Sequence, residues 1–219
     1  MKHVYSKAAL LALSMISASA CASHWSYKGE SSPEHWGELD EAYKTCNSGM
    51  NQSPINIDST ANAHLTPLQT YYIDGPVTLT NNGHTIQASE QADTRDSITL
   101  DKQSWTLQQF HFHAPSENTV HGKHYAMEMH LVHKNEKGEL AVVAVMFDKG
   151  AENPELDKLW NVMPQQAELN VSIKQELNMN KLLPEDKTYW RFSGSLTTPP
   201  CSEGVTWIVL KHPLTVSAE

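Results

Sequence analysis

At 219 residues, with 39% hydrophobic content and six tryptophans, the chain carries enough apolar material for one cored domain and too much to be disordered throughout. Its formal charge of −9 argues against a broad electrostatic surface for nucleic acid or an anionic membrane. A small neutral substrate stays open.

Lys2 and Lys7 precede a short apolar run from Ala8 to Ile16 and then the small residues Ala18-Ser19-Ala20-Cys21-Ala22, the pattern of a secretory leader over residues 1–22. Cleavage before Ser23 satisfies the small-x-small rule through Ala20 and Ala22. Cleavage before Cys21 satisfies it through Ala18 and Ala20 and opens Cys21 to lipid attachment. The run is far shorter than the ~20 apolar residues of a membrane span, and no later segment is long enough for one. Residues 23–219 are then a single domain. Once Cys21 is removed, Cys46 and Cys201 remain, an even number in an oxidising compartment, so a disulfide closing a long loop is expected, with two buried thiols as the alternative.

Residues 23–52 mix aromatics with turn formers and lack a sustained period, which predicts an arm wrapped on the core with short helical turns. Gln52-Ser53-Pro54-Ile55-Asn56-Ile57 reads as an edge segment, because Pro54 cannot donate to a central ladder. Val77 to Thr80 reads as a strand, Asn81-Asn82-Gly83 as a turn, and the strand that follows starts at His84. At that entrance His84 is either a mobile proton carrier or an ordinary surface histidine.

In Gln109-Phe110-His111-Phe112-His113 the imidazoles recur at the strand period of two, so His111 and His113 share one face while the phenylalanines share the other. Alternation likewise groups Glu128, His130 and Val132. If these two strands are antiparallel neighbours, His111, His113 and His130 converge and leave a fourth tetrahedral position open, the pattern of catalytic zinc. Gln109 and Glu128, each two residues from a proposed ligand, are placed to accept its second ring N–H and fix its tautomer.

Leu140 to Phe147 is a continuous apolar run, expected as a central strand covered on both faces. Residues 153–174 carry spaced apolars and are the best place for a short helix or two, with Pro164 limiting their length. Residues 189–201 read as a loop from their Gly, Ser, Thr and paired prolines, and Thr206 to Leu210 as another strand. Many short strands with few helices imply a mainly β fold.

The motifs QFHFH at 109–113, EMHLVH at 128–133, NNGH at 81–84, QSPINI at 52–57, GSLTTPP at 194–200 and VTWIVL at 205–210 together resemble an alpha-class carbonic anhydrase of the bacterial secreted kind. The resemblance spans essentially all of residues 23–219 and implies a large, mostly antiparallel twisted sheet with short peripheral helices. It implies zinc-dependent, reversible hydration of carbon dioxide to bicarbonate and a proton by zinc-bound hydroxide, a lyase activity. On this resemblance His111, His113 and His130 hold Zn2+, with Gln109 and Glu128 behind them. Thr197 accepts a hydrogen bond from the hydroxide, Glu117 orients Thr197, and Thr198 is a neighbouring pocket hydroxyl. His84 is the proton shuttle, and Tyr27, Asn82 and Gln87 line the water chain. Val132, Val142, Leu196 and Trp207 form the apolar wall, and Cys46 pairs with Cys201.

Two departures stand out. Asn118 replaces the histidine often found after the Glu117 match, which puts the partner of that position in doubt. The sequence also stops at Glu219, before the C-terminal region with which related chains complete the sheet, so an exposed sheet edge is expected. The alternatives are a zinc-binding but catalytically impaired member of the same fold, a zinc hydrolase of another fold, and a disulfide-stabilised binding module. The leader places the chain in the periplasm or outside the cell, and family analogy allows a homodimer.

Overall fold

The computed structural model describes residues 24–90 and 96–218. The proposed leader and Cys21 lie outside the described residues. From Gly29 the arm is a chain of short helical turns, including α1 (Trp36–Leu39) and α2 (Thr45–Ser48), and it is pinned where Trp36 Nε1 donates to the carbonyls of Ser26 and Ser31. Cys46 and Cys201 form the expected disulfide across a separation of 155 residues. A link closing so long a loop contributes on the order of 2–4 kcal/mol by restricting the unfolded chain.

The body is one 11-stranded sheet. Its elements are β2 (Gln69–Tyr71), β3 (Val77–Asn81), β4 (Ile86–Glu90), β5 (Ser97–Leu100), β6 (Gln103–His113), β8 (Met127–Lys134), β9 (Leu140–Lys149), β10 (Asn170–Ser172), β11 (Tyr189–Ser195), β12 (Glu203–Leu210) and β13 (Leu214–Val216). The main order is β10-β3-β4-β6-β8-β9-β12-β11, with β2 attached through β5 to β6. Pairing is antiparallel except at β9, where β12 and β13 lie parallel along one side. A separate parallel pair joins β1 (Asn56–Ile57) to β7 (Thr119–Val120).

The sheet divides two apolar clusters. Phe110, Met129, Leu131, Val143, Val145 and Phe147 face the larger one, where they meet Leu156 and Leu159 of α3 (Pro154–Trp160). Val142, Ala144, Met146, Val205, Trp207 and Val209 face the smaller one. As expected, β9 is buried on both faces, from Ala141 through Phe147.

Three segments differ from the sequence reading. The strand after the Asn-Gly turn begins at Ile86, not His84, because Asn82 Oδ1 accepts from the backbone N–H of both His84 and Thr85 and holds them in the turn. Only one helix forms between 153 and 174. Leu169, Val171 and Ile173 recur at a spacing of two, and residues 170–172 pair with β3 as β10. Tyr189–Ser195 is a strand rather than a loop. Its aromatics sit opposite β12, and Gly194 permits the close approach to Ser53: a Cβ there would lie 2.1 Å from Ser53 Oγ.

The placement of the histidines depends on a β-bulge. Leu107 pairs with His133 and Gln109 with Val132, which leaves Gln108 as an extra residue. Trp105 and Leu107 therefore face the core, although by simple alternation they belong with His111 and His113. The bulge turns Gln109, His111 and His113 onto the opposite face.

Candidate metal centre

Across β6 and β8, His111 stands directly opposite His130, and His113 opposite Glu128. The three imidazoles each offer one nitrogen, and these atoms lie within 4.8 Å of one another. Each ring also has a side-chain oxygen close to one of its nitrogens. His111 Nδ1 is 2.8 Å from Gln109 Oε1, His113 Nδ1 is 3.3 Å from Glu117 Oε1, and His130 Nε2 is 3.0 Å from Glu128 Oε1. That leaves Nε2 of His111, Nε2 of His113 and Nδ1 of His130 to converge. His113 Nε2 is buried without a protein partner, a cost that a bound cation removes. Three neutral nitrogen donors with backing oxygens suit zinc, and the donor set fits that ion.

Around this point the sequence-predicted residues fall into two groups. A cavity of about 130 Å³ is lined by Trp25, Tyr27, Asn82, His84, Gln87, His111, His113 and Thr198, among others. Val132, Val142, Leu196 and Trp207 belong instead to the smaller apolar cluster, and Trp207 reaches the metal ligands edge-on, its ring centroid 4.9 Å from that of His130. The Thr197 hydroxyl lies near enough to the Glu117 carboxylate to favour its charged form. Thr198 O accepts from Cys201 N over 2.9 Å and Leu196 N donates to Ser202 O over 2.9 Å, so the loop carrying Thr197 is closed on itself.

Sequence reasoning missed two features. Trp25 stacks on His84, with ring centroids 3.7 Å apart and planes 9° apart, and His24 lies 5.9 Å from His84. Both belong to the aromatic-rich arm, but no periodicity carries a contact over some sixty residues. Asn118 does not join the Thr197 network. Its side chain donates to Glu128 Oε1 over 2.7 Å.

The sequence profile described as eukaryotic-type carbonic anhydrase matches residues 31–219. A carbonic anhydrase from Klebsiella pneumoniae is 71% identical over 218 residues, covering 100% of this chain and 89% of that protein. The chain belongs to the eukaryotic-type carbonic anhydrase family. Among solved structures, the alpha-carbonic anhydrase of Thermovibrio ammonificans, in complex with sulfanilamide, superposes with a TM-score of 0.87 at 47% identity, covering 90% of this chain and 87% of that one. The Photobacterium profundum alpha-carbonic anhydrase gives 0.83 at 49%, with coverages of 89% and 88%.

Electrostatics separate the three ligands of this carbonic anhydrase family member. Burial, reinforced by the charge of His130, lowers His111 to about 3. Burial and the charges of His130 and His111 lower His113 to about 2. At His130 burial also opposes protonation, but the buried Glu128 carboxylate outweighs it, so His130 is raised above the ordinary imidazole value. Glu128 is held ionised: burial disfavours its charge, and His130 with the Asn118 donors overrides that.

One proton should therefore compete with the metal below the raised pKa of His130 and above the values of His111 and His113. His111 and His113 are already neutral there, while His130 binds a proton below its raised pKa and loses it above. Chelator competition should find zinc affinity falling about 10-fold per pH unit once His130 is protonated, with the slope of a single proton. A slope of two or three protons would contradict this assignment.

Proposed function

We propose that the chain is a zinc-dependent carbonic anhydrase that interconverts carbon dioxide and water with bicarbonate and a proton. The observation that carries this reading is the three-histidine cluster, buried at His130, with an unpartnered nitrogen on His113, set between a polar cavity and an apolar wall. Bound zinc supplies the Lewis acidity that lets a water lose its proton near neutral pH, an effect for which carbonic anhydrase is the standard example.

The chain's own residues do the rest. Gln109 and Glu128 fix the tautomers of His111 and His130, so that each ring presents a lone pair to the metal. Donation to Glu117 commits the Thr197 proton, so toward the pocket the Thr197 oxygen acts only as an acceptor. It thereby selects a nucleophile that still carries a proton and aims its free lone pair at the substrate. Burial raises Glu117 while the bond from Thr197 opposes that rise and favours its charged form. Carbon dioxide has no charge to satisfy, and Val132, Val142, Leu196 and Trp207 give it an apolar wall. Thr198 adds a hydroxyl to the opposite lining.

The released proton leaves through His84, with Tyr27, Asn82 and Gln87 forming the polar wall that orders water between it and the metal. Burial, then the nearby His24, lowers His84 below the ordinary imidazole value, which keeps it neutral and ready to accept a proton at neutral pH. In His84→Ala, stopped-flow hydration in dilute buffer should fall about 10-fold, less than the ~100-fold or more of a general base touching substrate, because buffer can bypass it. Imidazole should restore the rate. An unchanged rate in dilute buffer would remove His84 from the mechanism, and a wild-type protein that holds zinc yet hydrates no carbon dioxide would remove the enzyme reading.

The Cys46–Cys201 disulfide supports an oxidising, extracytoplasmic location, and the leader over residues 1–22 specifies export to the periplasm or beyond. Among the described residues no helix is long and apolar enough to cross a membrane.

A further inference from the structure

The hydrogen bonds around Glu128 carry the metal centre beyond the residues that touch it. Glu128 and Asn118 are both fully buried. Asn118 Nδ2 donates to Glu128 Oε1 over 2.7 Å, and the backbone N–H groups of Glu117 and Asn118 donate to Oε2 over 2.8 and 2.9 Å. The other end of the Asn118 amide is also used: Oδ1 accepts from Ile55 N over 3.0 Å. With a carboxylate on one side and an N–H on the other, only one orientation of the amide satisfies both neighbours. Two residues before Ile55, Ser53 N donates to Ser195 Oγ over 2.8 Å and Ser195 N donates to Ser53 Oγ over 3.1 Å. The segment that clamps Asn118 is thus bonded to the base of the loop carrying Thr197.

We propose that Asn118 is a positioning residue for the metal, holding Glu128 against His130 and anchoring both to the segment that follows the amino-terminal arm, at Ile55. The proposal deepens the zinc-enzyme reading and rests on it. A carboxylate held by three N–H donors cannot rotate away from His130 Nε2, so the lone pair of His130 Nδ1 keeps its direction. Removing Nδ2 takes from the buried Glu128 Oε1 the donor that fixes it beside His130 Nε2, and removing Oδ1 orphans the Ile55 N–H. Asn118 therefore couples the spacing of that segment to the orientation of a ligand it does not touch.

The test reads zinc rather than hydration. Asn118→Leu has similar size and neither polar end, whereas Asn118→His restores an N–H donor toward Glu128. Chelator competition at fixed pH should show zinc held about 10-fold more weakly in Asn118→Leu, at the low end of the ~10–100-fold seen when a group that orients a metal ligand is lost. The visible spectrum of the cobalt-substituted protein should shift with it, and Asn118→His should recover most of both. Unchanged affinity and spectrum in Asn118→Leu overturn the proposal. Equal losses in the two variants, tracking equal losses of thermal stability, also overturn it, because that is the signature of packing alone. If Asn118→Leu does not fold, Asn118→Ser is compared with Ser53→Ala, which loosens the same segment without touching Glu128. Weaker zinc binding in Asn118→Ser than in Ser53→Ala supports the proposal, and equal affinities overturn it. Because zinc affinity is the readout, an inactive wild-type protein would count against the enzyme reading and not against Asn118.

Discussion

His111→Ala should yield a folded protein that has lost most of its zinc and nearly all of its hydration activity. His111 stands opposite His130 in the β6–β8 ladder, and two imidazoles alone cannot enforce three-point attachment of a tetrahedral ion. The fold has little reason to fail. β6 is anchored by Phe110 and Phe112 on its other face, and removing a partly buried imidazole that resists protonation relieves desolvation in the metal-free protein. Losing one of three protein ligands should weaken zinc by more than the ~10–100-fold cost of losing a group behind a ligand. Dialysis against a mild chelator, followed by metal analysis and thermal unfolding, measures both parts. Retention of one tight zinc per chain with wild-type activity would show that the metal is held elsewhere.

Thr197→Val, which exchanges a hydroxyl for a methyl of similar size, should lower kcat/KM by about 100-fold, the range for removing one preorganised polar group at a reacting atom. Zinc content should stay unchanged, since the oxygens beside the three imidazoles come from Gln109, Glu117 and Glu128 and not from Thr197. The variant should also lose some stability. Glu117 is already raised by burial, and without the Thr197 donor its ionised form loses a stabilising partner, a cost of roughly 1–3 kcal/mol unless the carboxyl protonates. Loss of zinc together with activity would instead assign Thr197 to the metal site itself. Full activity would mean that the hydroxyl does not align the nucleophile.

The metal cluster was legible because it is written at the strand period. His111 and His113 alternate with Phe110 and Phe112, and Glu128 alternates with Met129 beside His130, so facing directions followed from sequence alone. The bulge at Gln108 was not legible. Gln-Gln carries no signal for an extra residue, and the shift shows only in the pairing of Leu107 with His133 and Gln109 with Val132. β11 was hidden because Ser193, Gly194 and Ser195 resemble loop residues locally. They are strand residues because they pair with β12, and Ser53, 142 positions away, is bonded to Ser195 and lies close against Gly194. β10 was hidden by the opposite ambiguity, since apolar residues over 156–173 match a helical spacing as readily as an alternating one until β3 is there to pair with Val171. Asn118 looked like a loss from the threonine network, whereas its contribution lies in a bond to Glu128 and another to Ile55, which is 63 positions from Asn118 in sequence.

The most direct test is to strip the oxidised protein of metal, titrate zinc back, and follow carbon dioxide hydration by stopped flow at each addition. The account predicts no activity without metal, a linear rise, and a sharp break at one zinc per chain. Activity in the metal-free protein, or none after one equivalent has bound tightly to folded protein, would contradict it.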